Sequence, residues 1–198
     1  MNSSIHNLFD LSGKVAIITG GHSWLGYDMA CALAESGCNI VLASRSKGKL
    51  VCAAEAIHSQ YGVDTLTLSL DQRDPAQVQT MAEAAYAWKG HIDILINNAG
   101  GGSGASEGNF LQRNPQDVVD MITSNLIGPM LCSQAVGRYM AKRNSGKIIN
   151  IGSIAGVVGR NRLMYRKNNK MEQPVDYAAA KGGVIAMTRD LAAFMAPY

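Results

Sequence analysis

Tyr177 and Lys181 stand four residues apart in the stretch DYAAAKGG. On a helix that spacing puts both side chains on one face, a turn apart, with Asp176 expected as the N-cap. An ammonium beside a phenol favours the phenolate and draws a tyrosine from its ordinary value of about 10 towards working pH. A tyrosine tuned in this way exchanges a proton with an alcohol or a carbonyl oxygen. Ser153 closes the apolar run KIINIGS, where its hydroxyl can hydrogen-bond the same oxygen. Asn125 falls inside a helical stretch although asparagine is a poor helix former, and Pro129 follows four residues later. Proline has no N–H for the Asn125 carbonyl, so the helix is expected to bend and leave that carbonyl free to hold a water. Such a water would pass protons between Lys181 and solvent; a kink that merely follows the core is the plainer alternative. Tyr165 is a rival tyrosine, but Asn169 stands where its lysine would have to be.

These groups need a frame, and apolar periodicity supplies one. VAIIT (Val15 to Thr19) reads as a strand, Gly20 and Gly21 break it, and Leu25, Met29, Ala32 and Leu33 recur at helical spacing. NIVLAS (Asn39 to Ser44), DTLTLSLD (Asp64 to Asp71), IDILINNAG (Ile92 to Gly100) and KIINIGS (Lys147 to Ser153) read as further strands. Helices are expected over Lys47 to Tyr61, from Asp74-Pro75 onward, and from Pro115 to about Lys142. Apolar strands alternating with helices predict an α/β fold, a doubly wound parallel sheet in the order 3-2-1-4-5, within one domain spanning 1–198. Ligands bind beyond the carboxyl ends of such strands, near the switch between strands 1 and 4. Thr19-Gly20, Ser44-Arg45, Asp71, Asn97-Asn98 and Ser153 all fall at strand ends.

The first turn reads TGGHSWLG. Glycines there let a helix start aim its unpaired N–H groups and positive dipole end at a diphosphate. Gly20 and Gly26 are present, but Trp24 occupies the place of the middle glycine of a dinucleotide fingerprint. An indole pointing inward would exclude the cofactor; one swung outward would only weaken its binding. After the second strand comes Ala43-Ser44-Arg45-Ser46 with no acid. A carboxylate there would receive a ribose 2′-OH and an arginine a 2′-phosphate, so NADP is expected ahead of NAD. Asp71 is suited either to an adenine amino group or to capping the helix before Pro75.

With 198 residues, 47% of them hydrophobic, the chain can bury a core of ordinary size. No apolar run approaches the roughly 20 residues of a membrane span, and the opening MNSSIHNLFDLSGK lacks signal-peptide features, so a cytoplasmic protein is expected. Cys31, Cys38, Cys52 and Cys132 form no CxxC pair and suggest neither a metal site nor a disulfide framework. A net charge of +3 without interleaved aromatic and basic residues argues against nucleic acid.

Together and in order, TGGHSWLG, NNAG at Asn97 to Gly100, Asn125, Ser153 and YAAAK at Tyr177 to Lys181 resemble the short-chain dehydrogenase/reductase family, from about Leu11 to the last residue. The resemblance implies a Rossmann-type NAD(P)-dependent oxidoreductase acting on a small carbonyl or alcohol substrate: a sugar acid, a polyol or a 3-oxoacyl thioester. It implies Tyr177 as proton donor or acceptor, Ser153 on the substrate oxygen, Lys181 on the nicotinamide ribose and Asn125 in the proton relay. The implied cofactor contacts are Gly20, Ser23, Leu25 and Gly26 in the turn, Ser44, Arg45, Asp71 and Gln72 after strands 2 and 3, and Asn98, Gly100, Tyr177 and Lys181 towards the nicotinamide. It also implies a homo-oligomer, a tetramer or dimer joined through long helices; the apolar run from Val184 to Met195 suits a helix buried on more than one side.

Besides Trp24, two departures stand out. RNRLMYRKNNKMEQP looks like an insertion, and Arg160, Arg162, Arg166, Lys167 and Lys170 fall there without an acid. It is read as a solvated loop or as a rim that attracts an anionic substrate. The chain also reaches Tyr198 where the family continues, so the C-terminal strands and substrate lid are expected to be missing and the sheet edge uncovered. Trp24 and that ending motivate an alternative, a Rossmann-type binding or assembly module with impaired catalysis.

Overall fold

Val15–Thr19 carries four β-branched side chains in five residues and becomes β1, the central strand, buried throughout. The structure, a computed structural model, describes residues 8–101, 108–167 and 173–198. β1 pairs in parallel with β2 (Asn39–Ser44) and β4 (Ile94–Asn97), so that Ile17 lies between Val41 and Leu95. β3 (Thr65–Ser69) joins β2, and β5 (Lys147–Asn150) joins β4, which gives the expected order β3-β2-β1-β4-β5. Two expectations need correction. Strands 3, 4 and 5 stop at Ser69, Asn97 and Asn150, because the backbone beyond leaves the ladder for the site loops. The outer strands β3 and β5 are also only partly buried, each having a strand on one side alone.

The period of two along β1 divides the core. Ala16 and Ile18 pack with Ile40, Leu42 and Ile96 beneath α1 (Trp24–Glu35) and α2 (Lys47–Tyr61). Val15 and Ile17 pack with Val41, Ala43 and Leu95 beneath α3 (Pro75–Lys89) and α5 (Gly128–Arg143). Each fully buried Ile or Leu contributes about 1.5–3 kcal/mol through removal from water. At the opposite ends of the strands from the site, buried Asp93 accepts the Val15 N–H at 3.0 Å and is flanked by Lys14, His91 and Arg143.

Three elements frame the site. α4 (Pro115–Ile122) runs through a π-turn (Thr123–Ile127) into α5, a 3-10 turn (Ile154–Gly156) follows β5, and α7 (Val175–Met195) ends the chain. The segment read as a loop after Gly159 contains a short helix, α6 (Arg162–Lys167). The apolar run of α7 is covered only on its first half: Asp176, Ala180, Lys181 and Val184 are buried, whereas Phe194 is 70% exposed. The four cysteines are free, and burial pushes the Cys38 and Cys132 thiols up to about 12. Among the described residues no helix is long and apolar enough to cross a membrane.

Gly26 sits where α1 crosses the first turn, and a Cβ there would lie 2.5 Å from both the Asn98 amide and the Gly20 carbonyl. Gly26→Ala is expected to cost about 1–3 kcal/mol in chemical denaturation. Gly48→Ala, on α2 with nothing within 4 Å of the added methyl, is expected to gain about 0.5–1 kcal/mol in the same measurement.

Candidate active site

The carboxyl ends of the strands open into a cleft of about 790 Å³ whose wall includes the turn between β1 and α1. Thr19 sets that turn: its hydroxyl meets the Ile96 carbonyl and accepts the N–H groups of Asn98 (3.1 Å) and Ala99 (3.0 Å). Asn98 returns the tie by donating to the Thr19 carbonyl at 3.0 Å. Its side chain is thus part of the frame that ties the ends of strands 1 and 4 together at the switch. Gly20 has φ +67, and a side chain on it would meet Asn98 and Ala99. Ser23 is the N-cap of α1 but makes no side-chain capping bond, so no hydroxyl competes for the first N–H groups of the helix. Ser23, Leu25 and Gly26 line the cleft there. His22 joins them, unanticipated, with Nδ1 buried and without a partner among the described residues; burial and then Lys49 lower its pKa.

Trp24 adopts φ +51, the left-handed conformation a glycine would take, and its side chain is 90% exposed. The indole swings outward, so the feared obstruction of bare backbone is replaced by local backbone strain. A glycine-bare turn with an uncapped helix start fits a dinucleotide diphosphate.

At the other end of the cleft, Ser44 is buried and accepts the Ser46 N–H at 3.1 Å, and Arg45 follows it, exposed. Asp71 is held by Arg73, which the motifs did not single out: Nε lies 2.9 Å from Oδ1 and Nη2 2.6 Å from Oδ2. The Arg73 hydrogen bonds keep the Asp71 carboxyl at about 2 against the opposing effect of desolvation, with Arg45 adding a smaller pull. Asp71 does not cap the next helix. Asp74 does, accepting the Ala76 and Gln77 N–H groups, because the N-cap directly precedes Pro75. Gln72, expected among the cofactor contacts, directs its amide to the carbonyls of Ala99 (3.0 Å) and Ser124 (2.6 Å). That side chain braces the cleft wall and has no N–H left for a ligand.

Asn125 is fully buried in the π-turn, where Gly128 N–H bonds to Thr123 five residues back. The bend expected at Asn125 falls within this one wide turn. The Asn125 Oδ1 accepts the Gly101 N–H at 2.7 Å, and a Cβ on Gly100 would strike the same oxygen at 2.6 Å, so Gly100 must be bare for the loop after β4 to close. Ser153 begins the 3-10 turn; its Oγ accepts the Ala155 N–H at 3.2 Å, which leaves its O–H available to donate. Lys181 lies 5.9 Å from the centre of the Tyr177 ring and donates to the Ile151 carbonyl at 2.6 Å. Burial lowers its pKa.

Two close approaches bring these elements to one place. A Cβ on Gly156 would lie 2.5 Å from the Gly182 nitrogen, so the turn after Ser153 touches α7 backbone to backbone at Lys181-Gly182. A Cβ on Gly183 would lie 2.7 Å from Leu126, which seats α7 against the π-turn beside Asn125. The GG after YAAAK was the available signal for both contacts.

Asp176 is not the N-cap of α7. The helix begins at Val175 after Pro174, and Asp176 turns inward to Arg113, with Nη2 2.8 Å and Nε 3.2 Å from Oδ2. Both side chains are almost wholly buried, and Arg113 also lines the cleft. No local pattern marks this pair, because its members lie 63 residues apart.

The sequence model described as short chain dehydrogenase matches residues 14–198. The chain belongs to the short-chain dehydrogenase family. It is 32% identical over 198 residues to the 2-dehydro-3-deoxy-D-gluconate 5-dehydrogenase of Formosa agariphila, covering 97% of this chain and 67% of that enzyme. It is 33% identical over 184 residues to the 3-oxoacyl-acyl-carrier-protein reductase FabG of Escherichia coli, covering 92% and 68%. A crystal structure of NAD+-bound xylitol dehydrogenase superposes with a TM-score of 0.84 at 30% identity, covering 94% of this chain and 66% of that one. Membership makes a nicotinamide-dependent oxidoreductase the coarse description of this short-chain dehydrogenase.

Asp176→Asn should cost this family member about 3 kcal/mol in denaturant unfolding, since it leaves the Arg113 charge buried opposite a neutral group. Trp24→Gly should be more stable than Trp24→Ala by about 1 kcal/mol, because alanine keeps a Cβ in the left-handed region. Equal stability of the two would show that position 24 stores no strain.

Proposed function

We propose that the chain interconverts a carbonyl and a secondary alcohol with NADP(H), using Tyr177 as the acid–base. The observation that carries this reading is the buried Lys181 ammonium beside the Tyr177 ring, anchored to the Ile151 carbonyl two residues before Ser153. When bound, the nicotinamide ring supplies or accepts the hydride. In the direction of reduction, the Tyr177 hydroxyl gives its proton to the carbonyl oxygen, which the Ser153 hydroxyl holds by donating a hydrogen bond. The Lys181 charge stabilises the phenolate left behind, and a water on the Asn125 carbonyl returns the proton from solvent. Gly20, Ser23, Leu25 and Gly26 would hold the diphosphate, and Asp71, Asn98 and Gly100 the flanking groups.

Preference for NADP rests on Arg45, which stands after β2 with no acid beside it, and on Arg73, which occupies the Asp71 carboxylate and removes the nearest negative charge. Sugar acids, polyols and 3-oxoacyl thioesters are the candidate substrates, in keeping with the names of the relatives. The outward indole of Trp24 takes away one ground for a non-catalytic module. Self-association through the uncovered end of α7 around Phe194 belongs to the same reading, and a strictly monomeric sedimentation profile would remove it.

Titration with NADPH should change nucleotide fluorescence, and a panel of ketones and oxo acids should then reveal its oxidation, with sugar acids and polyols read in reverse as reduction of NADP+. Tyr177→Phe should lower kcat by about a hundredfold to ten-thousandfold while NADPH still binds. Arg45→Ala should weaken NADPH about tenfold or more relative to NADH. Absence of any nucleotide binding would end the enzymatic reading, and equal weakening of both nucleotides would end the NADP preference.

A further inference from the structure

Arg160 lies beyond the 3-10 turn that follows Ser153, and its guanidinium carbon is 5.6 Å from the centre of the Tyr177 ring. Its Nη2 is buried and meets no acceptor among the described residues. A guanidinium does not shed its proton to escape such a position, and a buried donor without an acceptor is a rare and unfavourable state. An almost wholly buried arginine shows the contrast: Arg113 has its carboxylate provided by Asp176 at 2.8 Å. Arg162, two residues on from Arg160, donates to the Gln173 carbonyl at 2.6 Å. The sequence from Arg160 to Lys170 contains no acid that could serve Arg160 locally.

A need for a cation beside the tyrosine does not explain this arrangement, because Lys181 already places one 5.9 Å from the same ring. Arg160 is half-buried, and packing alone gives no reason for Nη2 to be withheld from water and protein acceptors alike. An acceptor that meets Nη2 would sit beside Tyr177, within the span of a small molecule whose reacting oxygen faces the tyrosine hydroxyl. The planar fork of arginine matches a carboxylate with two parallel hydrogen bonds.

We propose that Arg160 receives the carboxylate of the substrate, which makes the substrate a hydroxy acid or oxo acid of the sugar-acid kind and not an uncharged polyol or a thioester. This rests on the reading of Tyr177 as the acid–base of the site.

The test is calorimetric titration of the NADP-loaded protein with D-gluconate, D-galactonate and D-glycerate, each matched with its uncharged polyol (sorbitol, galactitol or glycerol). Wild type is expected to bind at least one acid more tightly than its polyol. Arg160→Gln is expected to weaken that acid by about tenfold or more, well beyond its effect on the polyol. Arg160→Lys, which keeps the charge without the fork, should recover part of the loss. Thermal melts of both variants separate this effect from unfolding. Equal weakening of acid and polyol, no weakening, or a wild type that binds none of the acids overturns the proposal. Inorganic phosphate displacing the acid at equal or lower concentration would assign the site to a phosphorylated substrate and likewise overturn it. Turnover run in parallel reads the acid–base assignment separately. Arg160-dependent acid binding without nucleotide reduction would leave the carboxylate site standing and the oxidoreductase reading fallen.

Discussion

A single buried ammonium holds the site in register. Lys181 is 5% exposed, and burial opposes its charge, so it persists in the charged form only where acceptors face it. The Ile151 carbonyl is such an acceptor, at 2.6 Å. The N–H of the same residue is bonded to the Asn97 carbonyl of β4 at 3.0 Å. One peptide segment therefore joins the lysine to the parallel ladder, and the pairing of Asn97 with Asn150 decides how far Ser153 lies from α7. A slip of one residue in that ladder would turn Ile151 to the opposite face and leave the ammonium without its acceptor.

The rest of the site depends on how closely backbones can approach. Gly26 lets α1 settle on Asn98, Gly156 lets the turn after Ser153 touch α7, and Gly183 seats α7 against Leu126. Where this chain departs from glycine, at Trp24, the backbone keeps the left-handed shape and the side chain is turned out to solvent. The geometry of the turn is thus imposed by its surroundings, at a local cost of about 1–3 kcal/mol.

The arginines divide the site electrostatically. Arg73 is paired with Asp71 at the end of β3, and Arg113 with Asp176 at the root of α7. Arg45 at the end of β2 lines the cleft, and Arg160 lies beside Tyr177 with Nη2 meeting no acceptor among the described residues.

Strand order, helix positions and the separated motifs were legible in the residues themselves. Unbroken apolar runs of strand length, Gly and Pro punctuation and the YxxxK spacing are local properties that survive in any context with a covered parallel sheet. α2 came out at Lys47–Tyr61, and the turn at Thr19-Gly20 lies at the strand switch. What tertiary structure alone decided are the side-chain partnerships over long separations. Asp176 looked like a cap and became the mate of Arg113, Gln72 became a brace between Ala99 and Ser124, and the indole of Trp24 chose the outward direction. Such pairings depend on which elements pack together, and a buried charge or amide takes whichever partner folding brings within about 3 Å. Local spacing carries no information about a partner 63 residues away.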